Sequence, residues 1–297
     1  MRYVLIQAER GVLPVERACH LLKVSASGYY AWQKRQQHQR PSSDEAQWVA
    51  RIISVFEESG GTYGSPRVTA ALRQRGMACN RKRVARLMRM HHLVAKHHRR
   101  RRVKTTDSRH GLPVAPNRLN RQFSAQRPDE KWVADITYID TAQGWLYLAL
   151  VLDVFSRKIV GWAMETHLET TLVEQALRMA LAQRQPALGE LLHHSDRGGQ
   201  YASKTYQQLL AAFGIIVSMS RSADPYDNAL MESCIGTLKT ECADHRFPSR
   251  QVARSELFAY LEGWYNRRRL HSALGYLSPE QFEHQFLEDK LSLHSKG

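Results

Sequence analysis

Lys131-Trp-Val-Ala-Asp-Ile-Thr-Tyr-Ile139 is a run of apolar, β-branched and aromatic residues built around one acid. Such a run reads as a strand. Asp135 projects from its middle, where apolar neighbours raise the cost of holding a charge. Two more β-rich runs follow, Trp145 to Val154 and Lys158 to Met164, separated by short polar gaps such as Asp140-Thr-Ala-Gln-Gly144. Gaps this short suit hairpins, so the three runs are expected to form an antiparallel meander. The pattern then alternates. Thr170 to Arg184 reads as helix, Leu188 to His194 as strand, Ser203 to Phe213 as helix, Gly214 to Met219 as strand, and Asn228 to about His245 as helix. Three antiparallel strands followed by αβαβα make an α/β fold, a mixed sheet with helices packed on it. In such sheets ligands gather beyond the strand ends, where Asp196 is expected.

Asp196 follows Leu191-Leu-His-His-Ser195 and precedes Arg197-Gly-Gly-Gln-Tyr201. Gly198 and Gly199 lack side chains that would keep a nucleic-acid backbone at a distance. Read alone, an acid in this turn could equally cap its own loop. Glu232 lies in Asp227-Asn-Ala-Leu-Met-Glu-Ser233, with 35 residues between it and Asp196. At about 100° per residue, Lys239 returns to within about 20° of the Glu232 face, whereas Glu241 points to the opposite side. A carboxylate for metal and an ammonium for phosphate on one helix face suit a polyanionic substrate. Asp153, ending Leu150-Val-Leu-Asp-Val154, is an alternative first acid, with Arg157 and Lys158 close enough in sequence for a structural ion pair instead. Three converging acids can hold magnesium for phosphoryl transfer.

Further out, the charge is uneven. Residues 1–124 carry 25 Lys plus Arg against 7 Asp plus Glu, and residues 125–297 carry 18 against 21, so the whole excess behind the net charge of +15 is N-terminal. A polyanion-binding half joined to a near-neutral half is the expectation, with a merely solvated basic surface as its rival. Pro14 to Val24 and Ser25 to Arg35 read as two short helices around a Ser-Gly turn, with Val15, Ala18, Leu22, Tyr29 and Trp32 as a helix-turn-helix core. A second pair follows, with Ser65 as N-cap before Pro66, Gly76 as a stop, and Asn80 capping a helix from Arg81 to about His92. There Val84, Leu87 and Met88 form an apolar stripe, while Arg81, Lys82, Arg83, Arg86 and Arg89 occupy the rest, as in a helix that enters a DNA major groove. Residues 96–124, including Arg99, Arg100, Arg101 and Arg102, show no sustained periodicity and read as a phosphate-tracking linker.

The expected organisation is a helix-turn-helix over 1–40, a second over 41–95, a basic linker over 96–124, a catalytic core over 125–245 and a helical extension over 246–297. No apolar run approaches the roughly 18 residues that span a bilayer, and no signal-peptide pattern opens the chain, so a soluble intracellular protein is expected. Cys19, Cys79, Cys234 and Cys242 form no CxxC, and the His pairs at 91–92, 97–98 and 193–194 lack Cys partners at finger spacing, which argues against a structural zinc site.

Several motifs resemble the D,D,E transposase and retroviral-type integrase superfamily. Trp132-Val-Ala-Asp-Ile-Thr-Tyr138, Leu146-Tyr-Leu-Ala-Leu-Val-Leu-Asp153, Ile159-Val-Gly-Trp162, His194-Ser-Asp-Arg-Gly-Gly-Gln-Tyr201, Asp227-Asn-Ala229, Glu232-Ser233, Leu238-Lys239-Thr-Glu241 and Tyr265-Asn-Arg-Arg-Arg-Leu-His-Ser-Ala-Leu-Gly-Tyr276 look like the downstream reading-frame product of bacterial insertion sequence three family transposases. Tyr63-Gly-Ser-Pro-Arg-Val68 and Asn80 to Met88 match that family's helix-turn-helix region, and Ser278-Pro-Glu-Gln-Phe282 its C-terminal helix start.

The resemblance implies a ribonuclease H-like core in which Asp135, Asp196 and Glu232 bind two magnesium ions, with manganese as substitute, and Lys239 contacts DNA. It implies hydrolysis at an element end followed by strand transfer into double-stranded target DNA. A homo-oligomer on DNA, a bacterial nucleoid-associated location and a partner or fusion segment from the upstream frame are implied too, since no heptad run occurs in the chain. Cys234-Ile-Gly236 departs from the family's aromatics, and a mid-helix Gly costs about 1 kcal/mol relative to Ala. From another class, a non-catalytic DNA-binding regulator acting through residues 14–124 is the alternative. A simple nuclease would cut without joining.

Overall fold

The computed structural model describes residues 2–37, 43–96, 110–222 and 224–294. Arg99 to Arg102, with the rest of residues 97–109 of the expected basic linker, lie outside the described residues. By its contacts the chain divides into Met1–Ser54 and Val55–Gly297.

In the first unit, α1 (Arg2–Ala8), α2 (Val15–Leu21) and α3 (Ala26–Gln37) bury Ile6, Ala18, Cys19 and Tyr29, with Val15, Leu22 and Trp32 half-buried around them. Tyr3 and Trp32 stack at 5.8 Å, and the Tyr29 hydroxyl donates to Gln7 Oε1 at 2.6 Å. The expected Ser-Gly turn is displaced. Ser27 and Gly28 lie inside α3, because Ser25 Oγ accepts the Gly28 N–H at 3.1 Å and so starts the helix earlier. The unit's first helix, α1, has no counterpart in the sequence reading.

Helix α4 (Ser43–Glu58) crosses from the first unit into the second. In the second unit, α5 (Ser65–Gln74) and α6 (Arg81–Met90) bury Val68, Leu72, Val84, Leu87 and Met88. Ser65 is not the N-cap. That place belongs to Gly64, and Ser65 is the first helical residue with Pro66 after it. Asn80 does cap, its side chain accepting the Lys82 N–H at 2.8 Å, and α6 closes at Met90 rather than His92. Gly76 takes φ +79°, a left-handed stop that glycine reaches without strain.

The rest of this unit is β1 (Lys131–Ile139), β2 (Leu146–Asp153), β3 (Ile159–Glu165), α7 (Thr170–Arg184), β4 (Leu192–Ser195), α8 (Gly199–Ala202), α9 (Lys204–Ala212), β5 (Ile216–Met219), a 3-10 turn at Pro225–Asn228 and α10 (Ala229–Glu241). Strand order is β3-β2-β1-β4-β5; β1–β2 and β2–β3 are antiparallel, β1–β4 and β4–β5 parallel. This is the ribonuclease H-like arrangement that the resemblance implies. β4 and β5 are shorter than expected; the expected helix after β4 is α9, capped by the Ser203 side chain, which accepts the Tyr206 N–H, while the short α8 before it was not expected.

Side chains alternate between two cores. Trp132, Ala134, Ala149 and Val151 face α7 and α9, whereas Val133, Ile139, Leu148 and Leu150 face α10 and the C-terminal segment. At Gly161 on β3, α7 comes so close that a Cβ would stand 2.2 Å from the Ala176 carbonyl oxygen.

The chain ends with α11 (Arg250–Phe258), a π-helical continuation (Ala259–Tyr265), a turn at Ser272–Leu274 and α12 (Pro279–His294). Ser278 Oγ accepts the Gln281 N–H at 3.2 Å while Gln281 Oε1 accepts the Ser278 N–H at 2.9 Å, a reciprocal capping box. Glu241 turns into this region, where Arg269 pairs with it at 2.9 Å and the Tyr260 hydroxyl and Trp264 Nε1 donate to it. The same segment holds α5. The Tyr63 hydroxyl accepts the Leu270 N–H at 2.7 Å, Arg67 Nε donates to the Leu270 carbonyl at 3.0 Å, and Gln74 donates to the Tyr276 carbonyl at 2.8 Å.

Candidate active site

β1 and β4 pair only from Lys131–Leu192 to Val133–His194. Continuing that parallel register by two residues sets Asp135 level with Asp196, just past the last residue of β4. There the strands part around a cavity of about 20 Å³ lined by both acids together with Ile136, Tyr138, Leu168 and Tyr201. That is room for one water-sized group. Backbone steers each carboxylate: Asp135 Oδ1 accepts the Ile136 N–H at 2.8 Å, and Asp196 Oδ1 the Gly198 N–H at 2.9 Å. Burial pushes the Asp135 carboxyl well above the usual carboxylate range, the charge of Asp196 pushes it further, and Glu232 adds to the push while Lys239 opposes it. The four groups singled out in the sequence thus act on one another. Tyr201 is also pushed well above an ordinary phenol, by burial first and then by Tyr206, Asp135 and Asp196.

Glu232 stands in the first turn of α10, exposed, on a second cavity of about 310 Å³ that also touches Arg67, Lys96, Thr237 and Thr240. Among the described residues no three His, Cys, Asp or Glu side chains converge tightly enough to hold an ion. The structure therefore brings Asp135 and Asp196 together and leaves Glu232 within their electrostatic reach. Lys239 is half-buried; burial holds its ammonium below the usual value and the Asp135 charge works against that.

The start of α10 is tied down by two residues that sequence reading treated only as motif letters. Asn228 Nδ2 donates to the Ala134 carbonyl at 3.2 Å, one residue from Asp135. The Asp227 carboxylate, fully buried, accepts from Arg221 Nε and Nη2, from the Arg221 N–H, from Arg121 Nε and from Asn117 Nδ2. These hydrogen bonds, Arg221's above all, hold it well below the usual carboxylate range although burial works the other way. A buried acid just after a loop that carries arginine is a signal for such a hub, but its partners lie up to 110 residues away.

Asp153, the alternative first acid, has other work. It is 0% exposed; its Oδ1 accepts the Asp129 N–H and its Oδ2 accepts both the N–H and hydroxyl of Ser156. His193 and His194 are buried, pushed down to about 3 and about 4 by loss of water, and His194 lies between the Ser218 and Ser220 hydroxyls at 2.8 and 3.1 Å. Arg81, Lys82, Arg86 and Arg89 are exposed along α6, with Arg83 half-buried.

Comparison with known proteins gives the chain a family. Residues 125–225 and 213–279 each match an integrase core domain, and residues 42–101 match an HTH-like domain. The chain is 40% identical over 289 residues to the transposase InsF for insertion sequence IS3A of Escherichia coli K12, covering 97% of this chain and 100% of that protein. The chain belongs to the IS3 family of transposases. A second relative of this IS3-family chain, an uncharacterized 31 kDa protein of insertion element IS600 from Shigella sonnei, is 43% identical over 90% of this chain and 98% of its own length. Among solved structures, the HTLV-2 integrase catalytic core domain in complex with magnesium aligns with 54% of this chain and 99% of its own, at 16% identity and TM-score 0.40. In this IS3-family chain, Asp135 and Asp196 fall within the first integrase-core match and Glu232 within the second. No helix among the described residues is long and apolar enough to cross a membrane.

Proposed function

We propose that this IS3-family chain cleaves and joins DNA strands with magnesium held by Asp135 and Asp196, completed by Glu232. The observation that carries the reading is the level pair of acids on a cavity the size of one small group. The donor set fits a hard divalent cation: the cavity offers carboxylate oxygens and no sulfur or imidazole. It also fits electrostatically, because two negative groups crowd Asp135, opposed by the Ile136 N–H and the half-buried Lys239. When bound, the metal supplies Lewis-acid activation of the attacking hydroxyl and stabilisation of the leaving oxygen.

The chain's own residues set the geometry. Backbone N–H groups fix the rotation of the two carboxylates, Leu168 and Tyr138 line the cavity, and Asn228 moors to β1 the helix that carries Glu232 and Lys239. Lys239 is placed to neutralise a phosphate. The exposed cations of α6 supply duplex affinity for element ends and target, and oligomeric assembly on DNA belongs to the same proposal.

The test incubates the protein with an element-end duplex and magnesium, and follows both nicked and joined products. Asp135→Asn, Asp196→Asn and Glu232→Gln are each expected to lower joining by on the order of 1000-fold or more while gel shifts persist. Undiminished joining by any of them overturns the assignment of that residue. A wild-type protein that binds but yields no product overturns the enzyme reading.

A further inference from the structure

Six tyrosines are buried among the described residues: Tyr29, Tyr63, Tyr201, Tyr206, Tyr260 and Tyr265. Five have their hydroxyl engaged by protein, with Gln7, Leu270, His193, Glu241 and Cys234 respectively for Tyr29, Tyr63, Tyr206, Tyr260 and Tyr265. Tyr201 is the exception. Its side chain is 2% exposed, and its hydroxyl has no hydrogen-bond partner among the described residues.

The surroundings of Tyr201 are otherwise well built. It lies on α8, five residues beyond Asp196, and Gln207 Nε2 donates to its carbonyl at 2.7 Å. Its ring meets the Tyr206 ring edge-on at 5.5 Å, and Tyr206 is itself held by His193 at 3.0 Å. The ring is therefore fixed in the same cavity that Asp135 and Asp196 line. A phenylalanine would make the same ring contacts without stranding a buried polar group, which is unfavourable for folding. A stranded donor at a cavity of acids calls for an acceptor that arrives from outside the fold.

We propose that Tyr201 is a catalytic residue whose hydroxyl donates a hydrogen bond to a non-bridging oxygen of the DNA phosphate at the Asp135–Asp196 cavity. The proposal rests on the strand-cleaving reading above. A phosphate oxygen is an anionic acceptor, and a hydrogen bond to a charged acceptor is stronger than one to a neutral group. The same bond strengthens as charge accumulates on that oxygen during transfer, and a donor fixed in advance loses little in reorganisation.

The decisive variant is Tyr201→Phe. Without DNA and metal, its thermal midpoint should equal that of the wild type or exceed it by about 2 °C, since only the stranded hydroxyl is removed. With an element-end duplex at saturating magnesium, single-turnover cleavage should fall about 10- to 100-fold, with the same duplex affinity by fluorescence anisotropy and the same magnesium dependence. A second readout locates the contact. With manganese present, a stereospecific phosphorothioate at the scissile position should slow the wild type for one diastereomer, and Tyr201→Phe should lose that discrimination. Full cleavage by Tyr201→Phe, an unchanged discrimination, or a lowered midpoint with altered magnesium dependence would each overturn the proposal. If the wild type cleaves and the variant cleaves equally, only Tyr201 loses its role; if the wild type does not cleave, the strand-cleaving reading fails first and this one with it.

Discussion

Asp135 and Asp196 come from strands that touch over only three residue pairs, yet the parallel register carries them to the same level. The pair exists because β4 stops at Ser195 while β1 continues to Ile139. Past that point β1 has lost its neighbour on one side, and polar groups there can face a ligand instead of a partner strand.

The Asp227 hub holds Glu232 near that level. Asp227→Asn removes the charge that faces Arg221 and Arg121 and leaves an amide N–H pointing at their donors. We expect a loss of about 1–3 kcal/mol in urea denaturation and a larger proportional loss of strand joining. The Arg221 hydrogen bonds hold this carboxyl below the ordinary range, so its contribution is present above the unfolded value and fades only as pH falls through the lowered folded value. Stability of the wild type minus that of Asp227→Asn should accordingly be flat from pH 5 to pH 8. A difference that shrinks across that interval would contradict the hub.

Glu241 and Arg269 form a pair whose side chains are 6% and 5% exposed. Truncating one partner leaves the other as an unpaired buried charge. Glu241→Ala is therefore expected to destabilise the second unit by roughly 3–5 kcal/mol. Replacing both with hydrophobic residues of similar volume should recover much of that loss, and a double-mutant cycle measures the recovery.

Asp153 makes the opposite pH prediction from Asp227. Burial pushes its carboxyl up to about 6, against the hydrogen bonds from Ser156. Because the folded value lies above the unfolded one, its protonated form favours the fold: the contribution is full below about pH 4 and is lost as pH rises through about 6. The size is roughly 3 kcal/mol at most, for a shift of about two pH units. Chemical denaturation from pH 4 to pH 7 should show this decline in the wild type and its absence in Asp153→Asn.

Gly161→Ala places a methyl group where the Ala176 carbonyl stands. Neither β3 nor the backbone of α7 can yield cheaply, and we expect a loss of about 1–3 kcal/mol with reduced soluble yield. Wild-type midpoints in thermal unfolding would show that the two elements can separate without penalty.

The core was legible because its elements are long and uniform. β2 buries nearly every residue, α7 runs over the Thr170–Arg184 span expected of it, and the one-face relation of Glu232 and Lys239 needs only helical periodicity. Asp135 and Asp153 could not be separated by the same means, since both sit in apolar strands; in the fold Asp153 accepts hydrogen bonds from Asp129 and Ser156, whereas Asp135 lines the cavity with Asp196. α1 escaped because it buries only Ile6, and a seven-residue helix with one buried side chain leaves no periodic trace. Tyr201 passed as one more aromatic in a motif, because the want of a partner for its hydroxyl is a property of the assembled fold alone.

The grip of Leu270 and Tyr276 on helix α5 bridges more than 200 residues of chain. Heredity would then act on a module that is discontinuous along the gene. A chimera that imports residues 55–96 from a relative should express as folded protein only when residues 264–276 travel with them, so recombination between relatives is expected to exchange both ends of the reading frame or neither.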